Sequence, residues 1–280
     1  MVNKLIVAAA LFLFGMGVTP GFAPQAVTPP PPAEQVVSIS PALGIPVLLY
    51  HHLLPAEENP YPENGAILPV ESFVQQMQLL HKHSYHTLSL AELELYLQGE
   101  YDPPERSVVI TFDDGYQSNY IYAYPILKKY GFRATVFVIT DLVPVHTQPF
   151  QPTVLTYMSW EEMEQARDVF EFGSHTCALH ALDAQGESLL LSQPEAVVQE
   201  DLLASAAILD TPYFAYPFGR HNKTVRAMLP ELGYRLAFAT HPELARPGAD
   251  PYQLGRYTIL PDLDREGFCQ IIGLTDEEGQ

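Results

Sequence analysis

Cysteine is almost missing from this chain: Cys177 and Cys269 are the two among 280 residues. Two cysteines build no disulfide scaffold, and a chain of this length buries enough core to need none. Basic residues are also scarce, 14 Lys and Arg against 33 Asp and Glu, for a net charge of −19. A protein that grips nucleic acid through its phosphates needs a basic stripe; none is visible, which excludes that class of partner. Attraction to anionic lipid is excluded on the same ground. Tryptophan occurs once, at Trp160, and there is no internal repeat. The longest apolar run, Leu5 to Val18, falls short of the ~20 residues that span a bilayer.

That run is nevertheless the first positive signal. Preceded by Lys4, it reads as the apolar region of an export signal, so residues 1–26 are expected to be a signal peptide or an uncut N-terminal anchor. Ala23 and Ala26 are the candidate cleavage positions, although Pro24 is unfavourable directly after a cut. With no cysteine nearby, a lipoprotein signal is excluded. Residues 27–44 include Thr28-Pro29-Pro30-Pro31-Pro32, a stiff spacer that holds the rest of the chain off a surface. The expected location is extracellular or on the cell surface.

From residue 45 onward, short apolar runs alternate with helical periodicity. Strands are expected at Pro46–His51, Val108–Phe112, Ala134–Ile139, Phe170–Gly173, Tyr213–Pro217, Leu236–Thr240 and Arg256–Ile259. Between them, Phe73, Met77 and Leu80 mark a helix face. Ser89-Leu90-Ala91-Glu92 and Ser159-Trp160-Glu161-Glu162 are capping boxes, and further helices are expected over Tyr120–Tyr130 and from Pro194 to Ile208. Alternating strands and helices argue for parallel βαβ units, hence an α/β class and a barrel. Residues 45–280 would form one catalytic domain.

Thr111-Phe112-Asp113-Asp114-Gly115-Tyr116 ends one of these strands with two adjacent carboxylates. Burying two like charges is costly, and a cation removes the cost: one carboxylate binds it, the other is left as a base beside it. Two histidines, His175 and His180, follow another strand within Gly173-Ser174-His175-Thr176-Cys177-Ala178-Leu179-His180. Asp114, His175 and His180 would make a two-histidine, one-carboxylate site with room for water and substrate. Asp113 is then the natural general base. Cys177, between the histidines, reads as a small packing residue rather than a ligand. In a βα-barrel the C-terminal ends of the strands form one face, so Leu49-Tyr50-His51 and Tyr216-Pro217-Phe218-Gly219 should converge on the same site.

These motifs resemble the polysaccharide deacetylases of the NodB-homology type, carbohydrate esterase family 4, over about residues 45–260. The resemblance implies a distorted (β/α) barrel of about seven strands. It implies a divalent metal, zinc first, with cobalt, nickel, iron or manganese as alternatives. It also implies an acetylated polysaccharide substrate. Asp113 would be the base, and Asp114, His175 and His180 the metal ligands. Three departures stand out. The histidines are five apart instead of four, a spacing similar to the branch acting on poly-β-1,6-N-acetylglucosamine. No Arg precedes Pro217, and neither the Arg that orients the base nor its Asp-x-x-x-Trp partner has a clear match; Trp160, at a helix start, reads as a packing residue. The Leu-x-His motif is missing near the C-terminus but present as Leu49-Tyr50-His51, so the barrel is expected to be circularly permuted, with His51 as the general acid. The backbone N–H of Phe218, flanked by Pro217 and Gly219, would serve the oxyanion.

Tyr116, His52, His221 and His241 are further candidates for the substrate cleft. His81, His83 and His86 lie at a helix end and its exit, and His146 in a loop. The long loops from Pro55 to Leu68 and from Val143 to Thr156 are candidate sugar-binding walls. The reading is a monomeric, exported, metal-dependent N-deacetylase of an N-acetylglucosamine polymer. Two alternatives are an O-acetyl esterase acting on a xylan-like polymer and a catalytically silent glycan-binding barrel.

Overall fold

The computed structural model describes residues 44–274. The expected signal, and the spacer up to residue 43, lie outside them. Among the described residues, no helix is long and apolar enough to cross a membrane.

The elements run in the order β1 (Val47–Tyr50), β2 (His52–Leu54), β3 (Ile67–Pro69), α1 (Val70–Lys82), β4 (His86–Thr87), α2 (Leu90–Gln98) and β5 (Ser107–Phe112). After a π-helical turn at Asn119–Ala123 come α3 (Tyr124–Tyr130), β6 (Ala134–Val138), α4 (Trp160–Gln165), β7 (Phe170–Ser174), α5 (Leu189–Ser192) and α6 (Glu195–Leu209). Last among the described residues come β8 (Tyr213–Ala215), α7 (Lys223–Glu231), β9 (Leu236–Phe238), β10 (Tyr257–Thr258) and α8 (Arg265–Ile272). The seven expected strands form the main path of an eight-stranded sheet, in the order β10-β1-β5-β6-β7-β8-β9, with β4 paired to the start of β5. Every pairing between these strands is parallel. The sheet curls into a half-barrel backed by helices, and its far edge approaches β10 again. Ala239 N–H donates to Leu254 O and Arg256 N–H to His241 O, both in the segment that leads into β10.

Local signals act where they stand. Both capping boxes form, at Ser89 with Glu92 and at Ser159 with Glu162. Phe73, Met77 and Leu80 are the buried face of α1. Asn222 and Asp264 cap α7 and α8, two helices with no counterpart among the expected elements. Trp160 is half-buried against the helix-side core, as expected of a packing residue.

The strands are buried on both faces, and the twofold alternation of side chains divides them. On β5, Val108, Ile110 and Phe112 join the core beneath the helices, whereas Val109 packs with Val47, Phe137, Ala215 and Phe238 on the inner face, closed below by Leu90 and Leu93 of α2. The inner-facing series leads directly to the site: Val109, Thr111, then Asp113 on β5; Val47, Leu49, then His51 after β1; Glu171, Gly173, then His175 after β7. Gly173 has to be glycine, because a Cβ there would lie 2.4 Å from the Phe137 ring.

Candidate active site

Asp113 is 3% exposed, Asp114 7% and His175 1%, so their charges meet in a poorly solvated space. Asp114 Oδ1 lies 3.4 Å from His175 Nε2 and 3.3 Å from His180 Nε2. It has no hydrogen-bond partner of acceptable geometry. Ligands about 2.0–2.1 Å from a tetrahedral cation stand roughly 3.3–3.4 Å apart. An orphaned carboxylate oxygen with two imidazole nitrogens at those separations therefore fits a divalent cation. Among the described residues, this trio is the group of candidate ligand atoms that converges, within 4.8 Å. His175 Nδ1–H donates to Ala215 O at 2.8 Å, which leaves Nε2 to face Asp114.

The five-residue gap between the histidines is bridged by backbone. Thr176 adopts a left-handed φ of 75°. The N–H groups of Cys177 and Ala178 then donate to the two carboxylate oxygens of Asp201 on α6, at 2.8 and 2.7 Å. Cys177 contributes its backbone to this loop and is absent from the ligand trio. Asp114 (φ 71°) and Phe218 (φ 59°) are also left-handed, each followed by a left-handed glycine, Gly115 and Gly219. A non-glycine residue there costs about 1–2 kcal/mol, so three such residues around one site mark a backbone held in place by its surroundings.

The structure supplies what the sequence reading lacked around Asp113. Arg256, which the sequence placed in a strand, has its side chain fully buried at the entry to β10. Nη1 and Nη2 donate to Asp113 Oδ1 and Oδ2, each at 2.7 Å. Nε donates to Ala239 O, Nη1 also reaches Thr111 Oγ1, and the guanidinium lies over the rings of Phe137 and Phe238. All this follows from β10 pairing with β1, which itself pairs with β5. The available signal was a single arginine behind Gly255 in a strand-like run. Gly255 allows close approach, since a Cβ there would lie 2.5 Å from His241 O.

Burial alone would raise both aspartates. For Asp113 it is outweighed by the Arg256 guanidinium, then by His175 and His51, so its carboxyl sits below the ordinary range. For Asp114 the histidines hold the carboxyl far down. Burial, then the neighbouring His175, brings His180 down to about 4. Burial would lower His175 too, but the two aspartates pull it up, so its proton sits where a cation would feel the same attraction.

The remaining candidates separate. His51 follows β1 half-buried, and its charge contributes to depressing both aspartates. The Phe218 ring packs against His180 with centroids 4.6 Å apart, placing the Pro217-Phe218-Gly219 turn at the trio. Tyr116 stacks on Tyr157; burial, then the charge and hydrogen bond of Asp114, keep its phenol protonated. His221 packs on Tyr216, and His241 pairs with Glu243, both outside the trio. His81 packs on Tyr130 and Phe132. His86 pairs with Ser107 at the opposite end of β5, and His146 pairs with Glu161.

A curled parallel sheet whose inner-face strand ends bring a buried carboxylate–guanidinium pair next to a two-histidine, one-carboxylate trio is a half-barrel with a candidate metal centre at one end. The family model for polysaccharide deacetylase matches residues 100–237. A Staphylococcus epidermidis poly-beta-1,6-N-acetyl-D-glucosamine N-deacetylase is 32% identical over 215 residues, 74% of this chain and 73% of that protein. The structure of IcaB from Ammonifex degensii superposes with a TM-score of 0.70 at 29% identity, covering 83% of this chain and 97% of that one. Streptococcus pyogenes deacetylase PplD, solved in complex with acetate, gives 0.72 at 29% identity, over 83% and 99%. The chain belongs to the polysaccharide deacetylase family.

Proposed function

We propose that this protein is an exported enzyme that removes N-acetyl groups from a polymer of N-acetylglucosamine, with a divalent cation, zinc first, held by Asp114, His175 and His180. The observation that carries the reading is the Arg256–Asp113 pair beside that trio. A bound cation would polarise the acetyl carbonyl and make water a better nucleophile at neutral pH. Asp113, ionised and held in one orientation by two hydrogen bonds, accepts the proton of the attacking water. The N–H of Phe218 donates to the carbonyl oxygen as negative charge develops on it. His51, at the end of the neighbouring strand, gives a proton to the departing amine. Arg256 orients Asp113 as the base-orienting arginine unmatched in the sequence would, which argues against the silent-barrel alternative. Similarity to the S. epidermidis enzyme favours a β-1,6-linked polymer. Export rests on the apolar run from Leu5 to Val18.

The test is acetate release from chitooligosaccharides, poly-β-1,6-N-acetylglucosamine, peptidoglycan and acetylxylan, before and after chelation. Release from the β-1,6 polymer is expected, abolished by chelator and restored by zinc. Zinc at 100 times its Kd should stabilise the chelated protein by about 2.7 kcal/mol in thermal melts. Protein that binds metal yet frees no acetate from any of these glycans would sink the enzyme reading; release from acetylxylan alone would make it an O-acetyl esterase.

His51→Ala should lose roughly 10²-fold in turnover of the amide and much less with p-nitrophenyl acetate, whose leaving group needs no proton. Near-normal amide turnover would exclude His51 as the acid.

A further inference from the structure

Beside the trio lies a cavity of about 270 Å³ whose lining includes His52, Tyr61, Ile67, Tyr116, Thr153 and Leu155. That is just below the ~300–1,000 Å³ range of small-molecule sites, a size suited to one sugar ring. Tyr116 is shared between the cavity and Asp114, which makes the two spaces adjacent.

The walls are built, not draped. His52 and Ile67 face each other in the β2–β3 ladder. The loop before α4 is fastened to the turn that carries the aspartates, through Gln117 N–H to Thr156 O and Met158 N–H to Gly115 O, with Tyr116 and Tyr157 stacked between. Tyr122 joins the two loops, packing on Phe150 and donating to Glu58.

His52 provides one fixed polar group. Ser118 Oγ accepts from Leu53 N–H and lies 2.6 Å from His52 Nδ1. Ser118 is fully buried, so its single hydrogen has to be used, and His52 Nδ1 is its acceptor among the described residues. Nδ1 is thus unprotonated, and Nε2 carries the hydrogen as a donor. Burial lowers His52 to about 4, so the ring is neutral at neutral pH. Tyr61 and Tyr116 offer aromatic faces and Ile67 and Leu155 apolar surface, and among the described residues no carboxylate lines the cavity. A cationic amine there would lose hydration without gaining a counter-charge. An acetamido group finds apolar surface for its methyl and a donor for its carbonyl.

Building on the deacetylase reading, we propose that this cavity is a second sugar site, which receives the pyranose next to the one being deacetylated and selects a neighbour that still carries its N-acetyl group.

The experiment compares kcat/KM for mono- and penta-N-acetylated glucosamine oligomers, and for a pentasaccharide chemically stripped of part of its acetyl groups. Tyr61→Ala removes one aromatic face, and Thr153→Trp fills the space; both positions are exposed, so neither threatens folding. Wild type should favour the fully acetylated pentasaccharide over the monosaccharide and over the stripped pentasaccharide. Each variant should reduce those preferences about tenfold, through KM, the equivalent of ~1.4 kcal/mol. Preferences that survive both substitutions would overturn the proposal. If wild type frees no acetate from any oligomer, the deacetylase reading fails, and the cavity is judged by calorimetry instead. Metal-loaded Asp113→Asn should then bind the acetylated pentasaccharide more tightly than Asp113→Asn/Thr153→Trp, and equal binding would overturn the second site.

Discussion

Arg256→Met is expected to lose roughly 10²-fold or more in kcat/KM at neutral pH and about 3–5 kcal/mol of stability. The guanidinium and the Asp113 carboxylate are both buried and bonded at two points; removing one partner leaves the other charge uncompensated. The pH dependence gives the sharper readout. In the wild type, Asp113 titrates below the ordinary carboxyl range despite its burial, because Arg256 holds it ionised. Its contribution to stability is therefore complete above the unfolded value of ~4 and is lost as pH falls through the lower native value. Without Arg256 the chief influence opposing burial is lost, so the native value moves upward. The stability that this group contributes at neutral pH shrinks accordingly, and the acid limb of the activity profile moves upward. Urea melts of the metal-free proteins at mildly acidic and neutral pH, together with pH–rate profiles, measure both. Adding Asp113→Asn to Arg256→Met removes the orphaned charge and should restore part of the stability but none of the turnover. An unmoved acid limb would show that Asp113 is not the base.

Asp113→Asn alone should reduce turnover by roughly 10²–10⁴-fold while one divalent ion per chain is retained. Asparagine keeps the shape of the side chain and an oxygen for Arg256, but it cannot take a proton. Asp114→Asn should behave differently: the oxygen facing both histidines loses its charge, and metal content falls together with activity. Metal analysis alongside acetate release separates the two. Metal lost from Asp113→Asn and kept by Asp114→Asn would exchange the assignments.

The aspartates and histidines were legible because charge at the end of an apolar strand breaks the local pattern, and the alternation that buries Val109 and Thr111 carries Asp113 to the same face. The seven strands were legible for the same reason, from runs of apolar residues. Arg256 was not, since its role depends on β10 lying beside β1, and strand order is not a local property. The five-residue gap between the histidines was also opaque: its closure rests on a left-handed Thr176 and on Asp201, which belongs to a helix 24 residues from Cys177. The two capped helices α7 and α8 did carry legible signals, in Asn222 and Asp264, with short and weakly periodic sequences behind them.

The Arg256–Asp113 pair also bears on how the chain matures. Its members are 143 residues apart, and the later one arrives with the last strand. Until β10 docks, Asp113 lacks its buried counter-charge and is better accommodated in water than beneath a closed sheet. A growing or partly folded chain therefore has no finished reaction centre. Assembly of the candidate centre and closure of the sheet thus coincide, set by the docking of a two-residue strand.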